Sequence, residues 1–180
     1  MMDFDAEPWD YLAASEAIDI EHPLVQSIAS ELRTGDDIAY ARAAFDHVRD
    51  LIPHSMDTGD TRVPWRASDV LEQRTGLCFA QSHAYVALLR AGGVQAGLCY
   101  QQRPGFVHGL AAALIDDRWV RLDPRDPAVR FSASADALAY PDDPILPTVH
   151  AAPHPTVLDA LKGMTTLTAS ALPATLGQPE

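Results

Sequence analysis

A thiol, an imidazole and a carboxylate follow one another along this chain in settings that suit nucleophilic catalysis. Cys78 lies in Gly76-Leu77-Cys78-Phe79-Ala80-Gln81 at the head of an apolar run, His108 precedes Gly109, and Asp123 precedes Pro124. A free cysteine is mostly protonated near neutral pH until a helix N-terminus or a neighbouring imidazolium lowers its pKa. The position of Cys78 offers the first of these. Gly76 permits a sharp turn into the helix, whose first backbone N–H groups lack intrahelical acceptors and can favour a thiolate or receive an oxyanion. The base must come from another element, because His83 points about 140° round the helix from Cys78. His108 can serve as base and acid, with Asp123 orienting its ring and stabilising its cation.

The elements that must position these groups are legible in the hydrophobic pattern. His22 to Thr34 places Leu24, Ile28 and Leu32 at helical spacing before Gly35, and Asp36 to Ile52 repeats the pattern with Ile38, Ala41, Phe45, Val48 and Ile52 until Pro53 stops it. Residues 54 to 66 are polar and turn-forming and predict a loop. Ser68 can cap a short helix ending at Gly76. Cys78 to Arg90 is nearly apolar throughout, which marks a buried central helix closed by Gly92-Gly93. Val94 to Gln101, Val107 to Ile115 and Trp119 to Leu122 read as strands, the last two joined at Asp116-Asp117-Arg118. The fold class is therefore α+β, with N-terminal helices first and an antiparallel sheet packed on the cysteine-bearing helix. His108 and Asp123 stand at unequal distances from the turn, so direct cross-strand opposition would need a bulge or a longer loop.

Three further residues border the predicted site. His54 and Trp65, in the loop before the central helix, are candidates for a substrate wall or a second oxyanion donor, and Gln81, one turn into the helix, can border the cleft. Cys99, mid-strand between Leu98 and Tyr100, reads as a core thiol. His150 and His154 have the spacing of a helical metal pair, but Pro153 and Pro155 forbid the helix, so no metal is assigned. No cofactor is called for either.

The chain has 180 residues with 25 acidic against 13 basic, a net charge of −12. That field opposes phosphate backbones and anionic lipid, so neither nucleic acid nor membrane is an expected partner. The acidic N-terminus lacks the basic and apolar regions of a signal peptide, and two cysteines are too few for a disulfide framework. Both point to a cytoplasmic protein, of an oligomeric state the residues leave open. Half of the 14 prolines fall after Tyr140. We therefore divide the chain into a domain at 1–140 and a Pro-rich extension at 141–180, packing on the domain or trailing from it, with one short helix over Thr156 to Met164.

The blocks Val48-Arg49-Asp50-Leu51-Ile52, Ala67-Ser68-Asp69-Val70-Leu71, Gly76 to His83, Ala87 to Val94, His108-Gly109 and Trp119 to Asp123 resemble, in order and spacing, the transglutaminase-like superfamily, in the manner of short single-domain bacterial members. The resemblance spans about 36–125. It implies a papain-like core and a thioester at Cys78, formed from a peptide or glutamine-like amide of a peptide or protein substrate, with hydrolysis slightly preferred over transfer to an amine. Gly93-Val94-Gln95-Ala96 departs from the Gly-Ile-Pro-Ala expected after the central helix. Such folds also serve without catalysis, so the alternative is a binding module that holds a partner in the cleft or on the Pro-rich tail. A third possibility, redox pairing of Cys78 with Cys99, conflicts with their placement on different elements.

Overall fold

A computed structural model describes residues 1–177. The predicted extension reaches beyond them, so Pro179 lies outside the described residues. Helices α1 (Pro23–Leu32), α2 (Asp37–Leu51), α3 (Ser55–Thr58) and α4 (Ala67–Gln73) precede the central α5 (Cys78–Ala91). Strands β2 (Ala96–Arg103), β3 (Phe106–Ile115) and β4 (Arg118–Leu122) form an antiparallel sheet in that order, and α6 (Pro155–Gly163) follows. A short parallel pair joins β1 (Asp3–Phe4) to β5 (Thr148–Val149). No helix among the described residues is long and apolar enough to cross a membrane.

The boundaries follow from local chemistry. Asp36 caps α2 by accepting from the Ala39 N–H at 2.8 Å, and its apolar stripe, Tyr40, Ala41, Ala44, Phe45 and Val48, is fully buried. Every residue of α5 from Cys78 to Arg90 is buried, which is why its sequence shows no polar face. One face of the sheet, carrying Leu98, Tyr100, Ala111 and Ala113, joins the core built round α5; the other, carrying Cys99, Leu110 and Ala112, is covered by Tyr11 and Val149. Each large aliphatic side chain so buried contributes about 2 kcal/mol.

Three expectations need correction. The stretch 54–66 is not wholly loop, because His54 caps the single turn of α3. Ser68 does not cap α4: Arg66 stands at the cap, and Ser68, inside the first turn, donates from both its backbone N–H and its hydroxyl to the Asp19 carboxylate. The β3–β4 turn is Asp116-Asp117 alone, both with positive φ (52° and 59°), the left-handed pair that a two-residue hairpin requires. Arg118 already belongs to β4, opposite Ile115.

Residues after Tyr140 run along the outer edge of β2: His150 exchanges backbone hydrogen bonds with Leu98 at 2.8 Å each, and Leu146 donates to the Tyr100 carbonyl at 2.9 Å. His154 caps α6. Arg90, from the last turn of α5, ties this segment to the N-terminus. Its guanidinium donates to the carbonyls of Ala96 (2.9 Å), Ala13 (2.7 Å) and Ala151 (2.6 Å), and burial lowers its pKa to about 10, still well above neutrality. Replacing Arg90 by Met leaves three carbonyls short of their donor, at a cost of about 3 kcal/mol or more. Thermal unfolding followed by circular dichroism should show a midpoint lowered by about 10 °C.

Candidate active site

Cys78 is the first residue of α5, and Leu77 before it offers no side-chain cap, so the N–H groups of the first turn stay open toward the sulfur. The approach is fixed from two sides. Ser55 donates from its N–H to the Gly76 carbonyl at 2.9 Å, and a Cβ at Gly76 would stand 2.7 Å from that of Ala80. The sulfur accepts from the Gly109 N–H at 3.4 Å. That donor is free because β4 ends at Leu122, opposite Ala111. Beyond this point the inward N–H groups of β3 have no strand partner. Gly109 gives its hydrogen to Cys78, and Val107 gives its own to the Pro173 carbonyl at 3.0 Å. A side chain at 109 would collide with the Phe79 ring, 2.6 Å from the added Cβ.

The imidazole and carboxylate meet without any bulge. The register places Asp123, just past β4, beside Leu110, so His108 is its diagonal neighbour on the same face. His108 Nε2 donates to Asp123 Oδ2 at 2.7 Å, and both side chains are almost completely buried. A carboxylate can only accept, which fixes the proton on Nε2 and leaves Nδ1 for the sulfur. Asp123 also accepts from the Arg125 N–H on Oδ1 (3.1 Å) and from the Ala139 N–H on Oδ2 (3.2 Å). Tyr140 packs its ring perpendicular to His108 at 4.9 Å, and the Arg103 guanidinium lies 3.5 Å from the Tyr140 ring centre.

The electrostatics follow from this packing. Burial disfavours a Cys78 thiolate, yet the adjacent His108 cation and hydrogen bonds from His108 and His54 bring the thiol down to about 6. Burial likewise opposes the His108 cation, but the Cys78 thiolate and the Asp123 carboxylate raise its pKa to about 10. The two groups form one ion pair, in which each charge favours the other. Cys99, without such partners, is pushed up to about 12 by burial.

A cavity of about 350 Å³ opens at the sulfur. Its wall includes His54 but neither Trp65 nor Gln81. Gln81 is turned into the core, donating to the Ile52 carbonyl at 2.8 Å, and the Trp65 carbonyl meets the His83 ring at 2.8 Å. Burial lowers the His83 pKa to about 4, so that ring is neutral. Tyr140, Arg125, Phe106 and Leu172 line the cavity and were missed in the sequence. Arg125 had one available signal, its place two residues after Asp123; its guanidinium pairs with Asp57 of α3 through bonds of 2.5 and 3.0 Å. Tyr140 and Leu172 reach the wall through chain reversals that leave no local pattern. Among the described residues no group of three His, Cys, Asp or Glu side chains could hold a metal.

A family profile for the transglutaminase-like superfamily matches residues 26–124, which include all three of Cys78, His108 and Asp123. Among solved structures the chain is similar to a candidate cysteine protease from Cytophaga hutchinsonii, with 21% identity over 68% of this chain and 43% of that one and a TM-score of 0.57. It is also similar to the periplasmic domain of TgpA from Pseudomonas aeruginosa, with 19% identity over 67% of this chain and 48% of that one and a TM-score of 0.52. The chain thus spans less than half the length of either relative, and at these identities the likeness speaks to the fold. No curated protein matches it by sequence.

The ion pair yields a pH dependence with a definite sign. Alkylation of Cys78 should rise through about pH 6, where the thiol ionises beside His108. Asp123→Asn removes the charge that holds the imidazolium, so the thiolate loses part of its counterion. The midpoint should move upward toward the ordinary cysteine value of about 8.5. The rate of iodoacetamide labelling measured against pH, in wild type and variant, checks the direction.

Proposed function

This chain belongs to the transglutaminase-like superfamily, and we propose that it is a cysteine-dependent enzyme acting on a peptide or glutamine-like amide through a thioester at Cys78. The observation that carries the reading is the buried 2.7 Å hydrogen bond that fixes the His108 ring on Asp123 in the wall of the cavity that also holds Cys78.

The chemistry proceeds in two halves. The Cys78 thiolate adds to the amide carbon, and the carbonyl π pair moves onto oxygen. Collapse of that oxyanion breaks the C–N bond, and the leaving amine takes its proton from His108. His108, now neutral, removes a proton from water or from an acceptor amine. The resulting nucleophile attacks the thioester, and the sulfur departs as thiolate beside the restored imidazolium. Asp123 keeps its charge throughout, favouring the cation without accepting its proton. Water is the preferred acceptor in this reading, because among the described residues lining the cavity none is a carboxylate that could hold an incoming amine.

The reading as a binding module loses ground on one feature. Ala169 and Leu172, from the C-terminal segment, stand in the cavity wall and leave about 350 Å³ open beside the sulfur, so the tail borders the cleft and does not plug it.

Intact-mass analysis after dilute iodoacetamide, paired with a panel of small peptide amides and ammonia detection, tests the proposal. Wild type should take one label at neutral pH, at Cys78, with Cys99 untouched. Cys78→Ala should take none, and His108→Ala should label about 100-fold more slowly as the thiolate fraction falls. Ammonia release should require both residues. Equal, slow labelling of the two cysteines in wild type would sink the activated-thiolate reading.

A further inference from the structure

Catalysis at Cys78 needs more than a nucleophile, because the negative charge that develops on the substrate oxygen requires donors already aimed at it. The Cys78 N–H, at the uncapped start of α5, can supply one. We propose that His54 is the second: an imidazole whose Nε2–H donates to the oxyanion formed when Cys78 attacks. The inference rests on Cys78 being the nucleophile proposed above.

The tautomer follows from the hydrogen bonds. His54 Nδ1 accepts from the Met56 N–H at 3.1 Å, so when the ring is neutral its single hydrogen is on Nε2. A protonated ring would lose that bond and uncap α3. His54 is 7% exposed and lines the cavity together with Cys78. A donor in the wall of that cavity is placed to meet an oxygen on a carbon bonded to the sulfur. His108 cannot fill this role, since its Nε2 is committed to Asp123 and its proton on the sulfur side goes to the leaving group.

The placement of His54 is over-determined. It bridges to Gly76, two residues before the nucleophile. Ser55 holds the Gly76 carbonyl through its N–H and meets the Thr75 hydroxyl at 3.3 Å, while Asp57 is clamped by both arms of Arg125. A four-residue helix is thereby fastened to the cysteine loop on one side and to the Asp123 loop on the other.

The plain alternative is that His54 only caps α3. His22 and His154 cap α1 and α6 in the same way, each accepting the N–H two residues on at 3.1 and 3.2 Å, so capping by histidine is common in this chain. It accounts for Nδ1 at all three positions. It does not account for a place in the wall of the Cys78 cavity, which of these three only His54 has.

Two reactions of the same thiolate separate the roles. Alkylation by iodoacetamide displaces iodide and builds no oxyanion, whereas acylation by p-nitrophenyl acetate passes through one. Both rates are measured near pH 9.5, roughly a unit above the ordinary cysteine pKa, so that the thiol is ionised in each variant. His54→Ala should acylate about 100-fold to 1000-fold more slowly while alkylating within a few-fold of wild type, and His54→Gln, which keeps a donor, should recover much of the loss. The ratio of the two rates within one variant cancels any fraction that fails to fold. Equal loss in both reactions, or loss in neither, overturns the assignment. Wild-type protein that alkylates no faster at Cys78 than at Cys99 overturns the nucleophile itself, and this inference with it.

Discussion

A carboxylate withdrawn from water must find donors for its charge, and Asp123 finds three: the His108 ring and the backbone N–H groups of Arg125 and Ala139. One comes from the start of β3, one from the turn just after β4 and one from the chain at Ala139, so satisfying a single buried anion ties three segments together. An unpaired charge at this depth would cost several kcal/mol. The same bonds that relieve the cost orient the imidazole. Stability and the geometry of the proposed site therefore depend on one group, and the His108 cation it favours in turn favours the Cys78 thiolate.

The early end of β4 is the second half of that arrangement. Because β4 stops at Leu122, the last donors of β3 on that side, Val107 and Gly109, are left for other partners. One receives the nucleophile and the other the C-terminal segment. A longer β4 would pair these groups within the sheet and close the space into which Cys78 projects. The short strand is thus a condition for the site, with Gly109 as its steric counterpart, since Phe79 occupies the room a side chain would need.

Much of this was legible in the chain, and the reasons differ by element. The nearly apolar character of Cys78 to Arg90 announced a buried central helix, and the structure buries every residue of it. Cys78, His108 and Asp123 could be singled out because thiol, imidazole and carboxylate sit at the ends of elements rather than inside them. The hairpin register escaped because direct opposition was assumed where a diagonal contact serves, and because Arg118 was counted in the turn. Gln81 was misjudged: helical spacing puts it near the cysteine, but it turns to the Ile52 carbonyl. Trp65 faces elsewhere because the Trp65–Arg66 segment runs against α5 and α6, with Lys162 of α6 5.2 Å from its ring centre. Tyr140 could not be found by pattern, as its contact with His108 depends on how residues 137–143 fold back over β4 and β2.

The distribution of these residues separates two kinds of contribution. The proposed nucleophile, base, orienter and oxyanion donor fall within residues 26–124, the span shared with the superfamily. Other walls do not: Ala139 steadies the carboxylate, Tyr140 covers the imidazole, and Ala169 and Leu172 border the cavity. Under the proposed function, what reaches the sulfur is set by the cavity walls, and here these come in good part from the segment after β4. The Pro-rich composition of that segment suits the task. Proline restricts the backbone of a chain that must hold its course along β2 and across the mouth of the cleft with little regular secondary structure of its own. The C-terminal segment is therefore part of the site, and substitutions at Tyr140 and Leu172 should alter which acyl group is accepted more than whether the thiolate forms.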